Sequence, residues 1–187
     1  VDTEVMTVQA LKDQGFSYIF YAIGSEVDND IPLTGDRSRV RQSLSFLSAF
    51  RKDPSTISLG RNVVVVGGGN TAMDSARAAL RIPGVEKVSV IYRRTEAEMP
   101  ADHEEYGLAR KENIQFIFLA NPERFEGNVL TVRKMELGQK DASGRRSPVA
   151  TQETFTIEAD TMITAIGEHA DTERLTWYGV PVNEKGW

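Results

Sequence analysis

The sequence contains no cysteine and only two histidines, His103 and His169. Because it has no cysteine thiolate, this chain cannot form a disulfide, bind a metal through sulfur or ligate an iron–sulfur cluster. Two isolated histidines are too few for a metal centre, because such centres group several ligands. The sequence therefore excludes disulfide bonds, thiolate–metal sites and iron–sulfur sites made by this chain alone.

A long apolar run is also missing. A membrane-spanning helix needs about 18 consecutive apolar residues, and every apolar run in the sequence is much shorter. No secretory signal is visible. The net charge of −5 argues against a surface for nucleic acids or anionic membranes. With 187 residues, 40% hydrophobic and 26% charged, the chain is long enough for one sizeable domain or two small ones. We expect a cytoplasmic protein with no nucleic-acid partner and no membrane span.

The most informative run, residues 61–74, reads RNVVVVGGGNTAMD. Four valines without polar alternation are typical of a strand covered on both faces, as in a parallel sheet flanked by helices. In the spacing G-x-G-x-x-A, Gly67 permits a tight turn and Gly69 lets backbone N–H groups approach a pyrophosphate, while Ala72 lets the next helix pack closely on the sheet. The free N–H groups and partial positive charge of that helix favour the same ligand. The spacing alone is not specific, since glycine-rich turns also occur as plain connections.

The residues that follow complete a β-α-β unit. Residues 71–81 predict a helix that ends at residues 82–84 (IPG), and residues 87–92 (KVSVIY) predict a second strand. This strand ends at Arg93 and Arg94, where NAD-binding proteins usually place an acid for the ribose hydroxyls. Two guanidinium groups favour a 2′-phosphate instead, by charge and by bidentate geometry, so the pattern favours NADP over NAD. The alternative is a solvated strand end with no ligand.

The remaining pattern predicts further helices and strands. One helix is predicted over residues 39–52 with Ser38 as its N-cap, and another from Asp102, as cap with Glu105 three residues on, to about Asn113. Strands are predicted over residues 114–119, 128–132, 134–137 and 153–157, the last three as a β-meander.

The charged residues outside the glycine region receive structural interpretations. Carboxylates near a helix start favour the helix macrodipole and need no catalytic function. This applies to Glu96, Glu98, Asp102, Glu104 and Glu105. Arg145 and Arg146 lie in a turn and are expected to face solvent rather than to clamp a second phosphate.

Two similar apolar segments bracket the nucleotide-binding pattern. Residues 18–24 read YIFYAIG and residues 161–167 read TMITAIG, so each strand-like run ends in Ala-Ile-Gly. Their separation is too large for a solenoid repeat and suits one domain inserted into another. Chance similarity between two short apolar strands is the alternative.

Three motifs together resemble the NADPH-binding domain of the glutamate synthase small-subunit-type flavoproteins. They are residues 67–74 (GGGNTAMD), 92–101 (YRRTEAEMPA) and 165–167 (AIG). That group includes the corresponding part of dihydropyrimidine dehydrogenase and the iron–sulfur subunit of the selenate reductase type. The loop at residues 135–148 (MELGQKDASGRRSP) and the glycine region look most similar to the selenate reductase type. The resemblance spans nearly the whole chain.

The resemblance implies an α/β fold, a Rossmann-like dinucleotide-binding domain with a parallel central sheet, an added β-meander and short flanks from an interleaved FAD domain. Residues 36–167 would form the NAD(P)H-binding domain. Residues 1–35, with a crossover strand, and residues 168–187 would be the FAD-domain flanks. No second G-x-G-x-x-G precedes residue 67, and the family's second FAD-contacting Gly-Asp segment is missing. We therefore expect a piece of a longer protein that does not itself hold FAD.

The resemblance also implies a role for individual residues. The pyrophosphate would be cradled by Gly67, Gly68 and Gly69 with the backbone amides of Asn70 and Thr71. The 2′-phosphate would be held by Arg93 and Arg94. The crossover beside the nicotinamide would consist of Ala165, Ile166, Gly167 and Glu168. No residue is assigned as catalytic or as a metal ligand, and Asp74 receives no role.

The implied function is the NADPH-binding domain of an FAD- and iron–sulfur-dependent oxidoreductase, which passes hydride from NADPH to a flavin bound outside this chain. The cofactor of this chain would be NADPH, with FAD and iron–sulfur clusters only in the full-length protein. Its partners would be the FAD and iron–sulfur segments of the same polypeptide and an electron-accepting subunit. We expect the chain alone to bind the cofactor without turnover.

Two other classes of protein are alternatives for this sequence. A Rossmann-like domain that has lost its cofactor could serve as a subunit-docking module, but such a domain has no reason to keep two arginines beside a glycine turn. The other class is an NAD-dependent dehydrogenase with its own substrate domain. This sequence has no room for such a domain, and it has no histidine or lysine in a credible setting for a proton donor.

Overall fold

The structure is a computed structural model that describes residues 7–22, 24–25, 27–140 and 144–183. The chain divides into two compact units, one formed by Asp28–Gly167 and the other by Val1–Val27 with Glu168–Trp187. The resemblance predicts the first domain boundary between residues 35 and 36. The structure puts residues 28–35 in the larger unit, because Ile31 and Leu33 are buried in its core.

Most of the described strands and helices are short, and the strands Val129–Lys140 and Arg146–Glu158 are the long exceptions. The strands are β1 (Val27–Asp28), β2 (Thr34–Gly35), β3 (Val40–Gln42), β4 (Asn62–Val66), β5 (Lys87–Tyr92), β6 (Gln115–Phe118), β7 (Ala120–Glu126), β8 (Val129–Lys140), β9 (Arg146–Glu158), β10 (Thr161–Thr164) and β11 (Glu168–His169). The helices are α1 (Val8–Asp13), α2 (Ser43–Lys52), α3 (Asn70–Leu80), α4 (His103–Lys111) and α5 (Thr172–Trp177). Short 3₁₀ turns lie at Pro54–Thr56 and Glu96–Glu98.

A five-stranded parallel sheet forms the centre of the larger unit, in the order β3-β10-β4-β5-β6. Val66 of β4 is in register with Ile91 of β5 and Thr164 of β10, so these three strands end at the same edge. A second sheet, in the order β2-β7-β8-β9, contains the antiparallel meander β7-β8-β9. The predicted parallel sheet and meander are both confirmed.

The valines of β4 are buried on both faces of the parallel sheet. Val63 and Val65 pack on the helix side with Met73 and Ala76 of α3. Val64 and Val66 pack on the other side, in a cluster that contains side chains of the meander. Burying one such side chain stabilises the fold by about 1.5–2 kcal/mol, so neither face of the strand tolerates a polar residue. This arrangement explains the valine run without alternation.

The start of β4 is held by a carboxylate that follows the meander. Asp160 Oδ2 accepts hydrogen bonds from the backbone N–H groups of Arg61 (2.8 Å) and Asn62 (2.9 Å). These bonds, the one from Asn62 above all, lower the pKa of the Asp160 carboxyl from its ordinary value against the opposing effect of burial. The Asp160 N–H in turn donates to the Asn62 carbonyl at 2.7 Å. The neighbouring strands β4 and β10 are therefore fixed together at their amino ends.

The predicted helix over residues 39–52 is wrong in its first residues. Residues 40–42 form β3, which pairs in parallel with β10, and α2 begins only at Ser43. Ser38 is not the N-cap, since its N–H and hydroxyl donate to the Asp36 carboxylate. The apolar spacing of this segment suits a helix, but its first residues form hydrogen bonds with the distant strand β10 and are therefore extended.

The other predicted elements differ from the structure mainly in their limits. The β5 strand is confirmed over residues 87–92, and α3 lies one residue before its predicted range. The strands predicted over 128–132 and 134–137 are one strand, β8, with an irregular register between Arg133 and Met135. The prediction missed β7, because its sequence ANPERFE contains a proline and shows little alternation.

The smaller unit contains α1 and α5. Thr7 caps α1 by accepting a hydrogen bond from the Ala10 N–H (3.1 Å), and Asp171 caps α5 by accepting one from the Arg174 N–H (2.9 Å). The strand-like run predicted at residues 18–24 is not a strand over its described residues 18–22 and 24, and Ile23 lies outside the described residues. Tyr18 is 94% exposed there. Among the described helices, none combines the length and the apolar character that crossing a membrane requires.

Candidate nucleotide-binding site

The predicted site residues of the larger unit lie at the carboxyl edge of the parallel sheet. The glycine turn follows β4, the arginine pair follows β5 and the Ala-Ile-Gly segment follows β10, and these strands are neighbours in the order β10-β4-β5. Parallel α/β sheets bind their ligands at this edge, where strand ends and helix starts converge. The structure therefore brings together three motifs that are widely separated in the sequence.

Two of the three glycines are required by the packing of the protein itself. A Cβ at Gly67 would lie 2.1 Å from the Ala165 carbonyl oxygen, and the φ of Gly67 is +150°. A Cβ at Gly68 would lie 2.6 Å from two carbons of the Tyr92 ring. The ring is held by a hydrogen bond from the Tyr92 hydroxyl to the Glu98 carbonyl (2.9 Å). These glycines bring β4 against β10 and against the end of β5.

Gly69 is different, because nothing in the described protein requires it to be a glycine. A Cβ at this position would meet no heavy atom within 4 Å, and its φ of −97° is open to any residue. The missing side chain leaves space directly in front of the first turn of α3. A bare backbone facing open space at this point is the feature that a pyrophosphate group needs in order to reach the peptide nitrogens.

The N-terminus of α3 adds hydrogen-bond donors to this space. The N–H groups of Ala72 and Met73 donate to the Gly69 carbonyl at 3.0 and 3.2 Å. The N–H groups at the very start of a helix have no carbonyl one turn back, so those of Asn70 and Thr71 are available to an anion. The Asp74 side chain is exposed, while the helix residues beside it, Met73 and Ser75, are fully buried.

A reciprocal side-chain contact fixes the glycine turn against α4. Asn70 Nδ2 donates to Asp102 Oδ2 at 2.8 Å, and the Asp102 N–H donates to Asn70 Oδ1 at 2.8 Å. One residue earlier, the Ala101 N–H donates to the Gly68 carbonyl at 3.0 Å. Asp102 does occupy the predicted N-cap position of α4, but its carboxylate bonds Asn70 rather than capping that helix. The Asn70 side chain thus holds the turn, and its backbone amide remains the predicted pyrophosphate contact.

The two arginines at the end of β5 are not equivalent. Arg93 is exposed, and its side chain forms no hydrogen bond or ion pair within the described part of the chain. Arg94 is only 7% exposed, and its Nε donates to the backbone carbonyl of Arg146 at 2.7 Å. Since successive residues of an extended chain point in opposite directions, one arginine faces outward and the other faces the protein. Arg93 is available to a ligand, whereas Arg94 joins the end of β5 to the meander.

The crossover segment after β10 contacts the glycine turn. The Ala165 N–H donates to the Val66 carbonyl at 2.8 Å, and the Gly167 carbonyl accepts from the Asn29 N–H at 2.9 Å. Gly167 has a φ of +102°, which favours glycine, and Ile166 is 37% exposed. Glu168 begins the return to the smaller unit, and its Oε1 is buried without a hydrogen-bond partner among the described residues.

The acidic residues beside the site are held in structural contacts. Glu105, in the first turn of α4, forms an ion pair with Arg77 of α3 (3.0 Å). Glu98 accepts from both the hydroxyl and the N–H of Thr95 at the start of its 3₁₀ turn. Together with the bond between Asp102 and Asn70, these contacts favour the structural interpretation of the carboxylates over an acid–base one.

Sequence reasoning missed three residues that shape the site. Tyr92 packs on Gly68, Ala101 bonds the glycine turn, and the Arg146 backbone binds Arg94. The opposite orientation of Arg93 and Arg94 could have been predicted from the sequence, because successive residues after a strand alternate between its two faces. The other contacts join distant segments and leave no local pattern.

The comparisons with known proteins agree with this geometry. The family model described as "Pyridine nucleotide-disulphide oxidoreductase" matches residues 2–187. The chain is 51% identical over 183 residues to the protein YgfK of Escherichia coli (strain K12), covering 97% of this chain and 18% of that protein. It is 37% identical over 178 residues to the NADPH-Fe(3+) oxidoreductase subunit beta of Geobacter sulfurreducens, covering 89% of this chain and 26% of that protein. The matched proteins also include glutamate synthase small chains, as the resemblance predicted.

A solved structure supports the fold. FprA from Mycobacterium tuberculosis in complex with NADPH matches with a TM-score of 0.65 at 18% identity, covering 79% of this chain and 49% of that one. This likeness confirms the predicted Rossmann-like α/β fold. The chain spans only about a fifth to a quarter of the length of the curated relatives named above. Its match over nearly every residue shows that the chain belongs to the pyridine nucleotide-disulphide oxidoreductase family.

Proposed function

We propose that this chain binds NADPH at the carboxyl edge of its parallel sheet. The observation that carries the proposal is Gly69, a glycine that neither the packing nor the backbone conformation requires and that faces open space before the first turn of α3. A pyrophosphate fits this space, because it needs bare peptide nitrogens and no side chain between them and the ligand.

Different residues of the site would contact different groups of the nucleotide. Gly67, Gly68 and Gly69 would admit the pyrophosphate, and the backbone amides of Asn70 and Thr71 would donate hydrogen bonds to it. Arg93 would meet the 2′-phosphate of the adenosine ribose, because its guanidinium is exposed at the end of β5. Arg94 would support this end of the strand from within.

Hydride is the chemistry that bound NADPH supplies, so no side chain needs to act as a general acid or base. The chain's own task is to orient the nucleotide. We propose Ala165, Ile166, Gly167 and Glu168 as the segment beside the nicotinamide, since Ala165 contacts the glycine turn directly. This segment also carries the chain out of the larger unit.

We further propose that the hydride passes to a flavin, and its electrons to iron–sulfur clusters, held by segments of the full-length protein outside these residues. The names of the relatives support an NADPH-dependent oxidoreductase, and the motif resemblance supports the flavin and the clusters. The chain itself has no cysteine with which to ligate a cluster. We also propose that the full-length protein is of the selenate reductase type and that it is cytoplasmic.

The test of NADPH binding is calorimetric titration of the chain with NADPH and with NADH. We expect the wild-type chain to prefer NADPH, and Arg93→Ala to weaken NADPH binding roughly 10- to 100-fold with little change for NADH, because a charge-assisted hydrogen bond is worth about 1.5–3 kcal/mol. Arg51→Ala removes another exposed arginine, at the end of α2, and serves as the control. Absent binding, or equal binding of both nucleotides by the wild type, would overturn the proposal.

A further inference from the structure

The far half of the β8–β9 hairpin projects beyond the meander. The pairing of β7 with β8 ends at Ala120 and Lys134, but β8 and β9 continue to pair with each other from Met135 and Ala150 to Lys140 and Arg146. We call residues 135–140 and 145–150 the hairpin arm. A two-stranded ribbon is only marginally stable by itself, so the arm depends on contacts with the rest of the protein.

One such contact ties the arm to the nucleotide site. The buried Arg94 guanidinium donates through Nε to the Arg146 carbonyl at 2.7 Å. Arg94 directly follows Arg93, the exposed cation that we place at the 2′-phosphate. The first residue of β9 is therefore fixed beside the end of β5, where the adenosine half of the nucleotide would lie.

A cavity separates the arm from the loop that follows β5. Its volume is about 350 Å³, and its walls include Glu98, Met99 and Pro100 on one side and Lys140, Arg145 and Arg146 on the other. The loop side continues into Ala101, whose N–H donates to the Gly68 carbonyl at 3.0 Å. The cavity thus lies next to the segment that covers the glycine turn.

The charge of this cavity is opposite to that of the whole chain. Among the residues that the structure describes, three cationic side chains and one carboxylate, that of Glu98, line the cavity, although the chain carries a net charge of −5. Arg145 and Arg146 are exposed, as the sequence predicted, but the structure places them in the wall of a cavity and fixes the Arg146 backbone. Cations concentrated around a concave space on an acidic protein favour a compact anion of high charge, such as a phosphomonoester.

We infer that the hairpin arm is the second half of the NADPH specificity site, with Lys140, Arg145 and Arg146 contributing, together with Arg93, to the binding of the 2′-phosphate. This inference rests on the proposed function, since it adds a specificity determinant to the same nucleotide site. The cations of the arm discriminate NADPH from NADH, because the two nucleotides differ only in the phosphomonoester that the arm meets.

The test compares two small probes that isolate this phosphate, 2′,5′-ADP and 5′-ADP, each titrated into the chain by calorimetry at low ionic strength. The variant Lys140→Gln/Arg145→Gln/Arg146→Gln removes the cations of the arm. The control Arg51→Gln/Lys52→Gln/Lys87→Gln removes the same charge from exposed positions at the end of α2 and the start of β5. The unfolding temperature of each variant is measured alongside its binding.

We expect the arm variant to lose about tenfold or more of its affinity for 2′,5′-ADP and to change less than about twofold for 5′-ADP, with the control unchanged for both. Equal losses in the arm variant and the control would reduce the effect to general electrostatics and overturn the inference. An unchanged preference in the arm variant would also overturn it while leaving the proposed function intact. A wild-type chain that binds neither probe, NADPH nor NADH would overturn the proposed function itself.

Discussion

Replacement of Gly69 by alanine separates the stability of the glycine turn from its binding function. The structure allows the added methyl group, because no heavy atom lies within 4 Å of its position and the φ is −97°. Alanine raises the free energy of unfolding by about 0.4–1 kcal/mol, because it makes the unfolded chain less flexible. It lowers the free energy of unfolding by a similar amount, because alanine is a poorer N-cap than glycine. We therefore expect the free energy of unfolding to change by less than about 0.5 kcal/mol.

Binding should respond differently to the same methyl group. The methyl occupies the space through which the pyrophosphate would reach the first turn of α3, and overpacking of this kind costs about 1–3 kcal/mol. This cost corresponds to a roughly 5- to 150-fold weaker affinity for NADPH in Gly69→Ala. Isothermal titration measures the affinity, and thermal unfolding of the same sample measures the stability.

Two other glycine variants give the opposite balance. At Gly68, a methyl would lie 2.6 Å from the Tyr92 ring, so Gly68→Ala should unfold roughly 2–12 °C below the wild type. Gly107 lies within α4 with nothing within 4 Å of its added Cβ, so Gly107→Ala should be slightly more stable and bind NADPH normally. If Gly69→Ala bound NADPH as tightly as the wild type, the pyrophosphate would not rest on this turn and our interpretation of Gly69 would be refuted.

Two further predictions concern the contacts that hold the site. Asn70→Ala removes both hydrogen bonds to Asp102, so chemical denaturation should show a loss of about 1–2 kcal/mol and NADPH affinity should fall as the turn loosens; unchanged values for both would contradict a role in positioning. Because the pKa of Asp160 is lowered in the folded chain, its bonds to the N–H groups of Arg61 and Asn62 stabilise the fold above the unfolded pKa near 3.8 and are lost as the pH falls through the lower folded value. Asp160→Ala should therefore unfold more easily than the wild type at pH 7, and this difference should shrink as the pH falls below about 4. A difference that stayed constant between pH 7 and pH 3 would exclude the ionised carboxylate as its cause.

The core of the site could be predicted because its signals are local. The β4 valines, the glycine turn and α3 are consecutive in the sequence, and each follows from the burial, turn or helix chemistry of its own residues. The strand β5 could also be recognised from its own composition. Those elements fixed the fold class and the edge of the sheet at which a nucleotide would bind.

The errors lie where distant residues compete with local preference. Val40 and its neighbours match a helical spacing, but they hydrogen bond to β10, about 120 residues away, and form β3. Asp102 has the sequence position of a helix cap, yet its carboxylate bonds Asn70, which lies 32 residues earlier. Arg94 is predicted to hold the 2′-phosphate with Arg93, but it is buried and its Nε donates to the Arg146 carbonyl, 52 residues later. A single sequence contains no local trace of these partners.

The contact between Asn29 and Gly167 has a consequence for how this domain can be handled. The hydrogen bond from the Asn29 N–H to the Gly167 carbonyl is 2.9 Å long, so the larger unit starts and finishes at one point. A segment whose entry and exit adjoin is a natural candidate for circular permutation, since a linker of a few residues could join its ends and new termini could be opened in a surface loop. For the same reason, lengthening or replacing this unit need not change the distance between the two places where the rest of the polypeptide is attached.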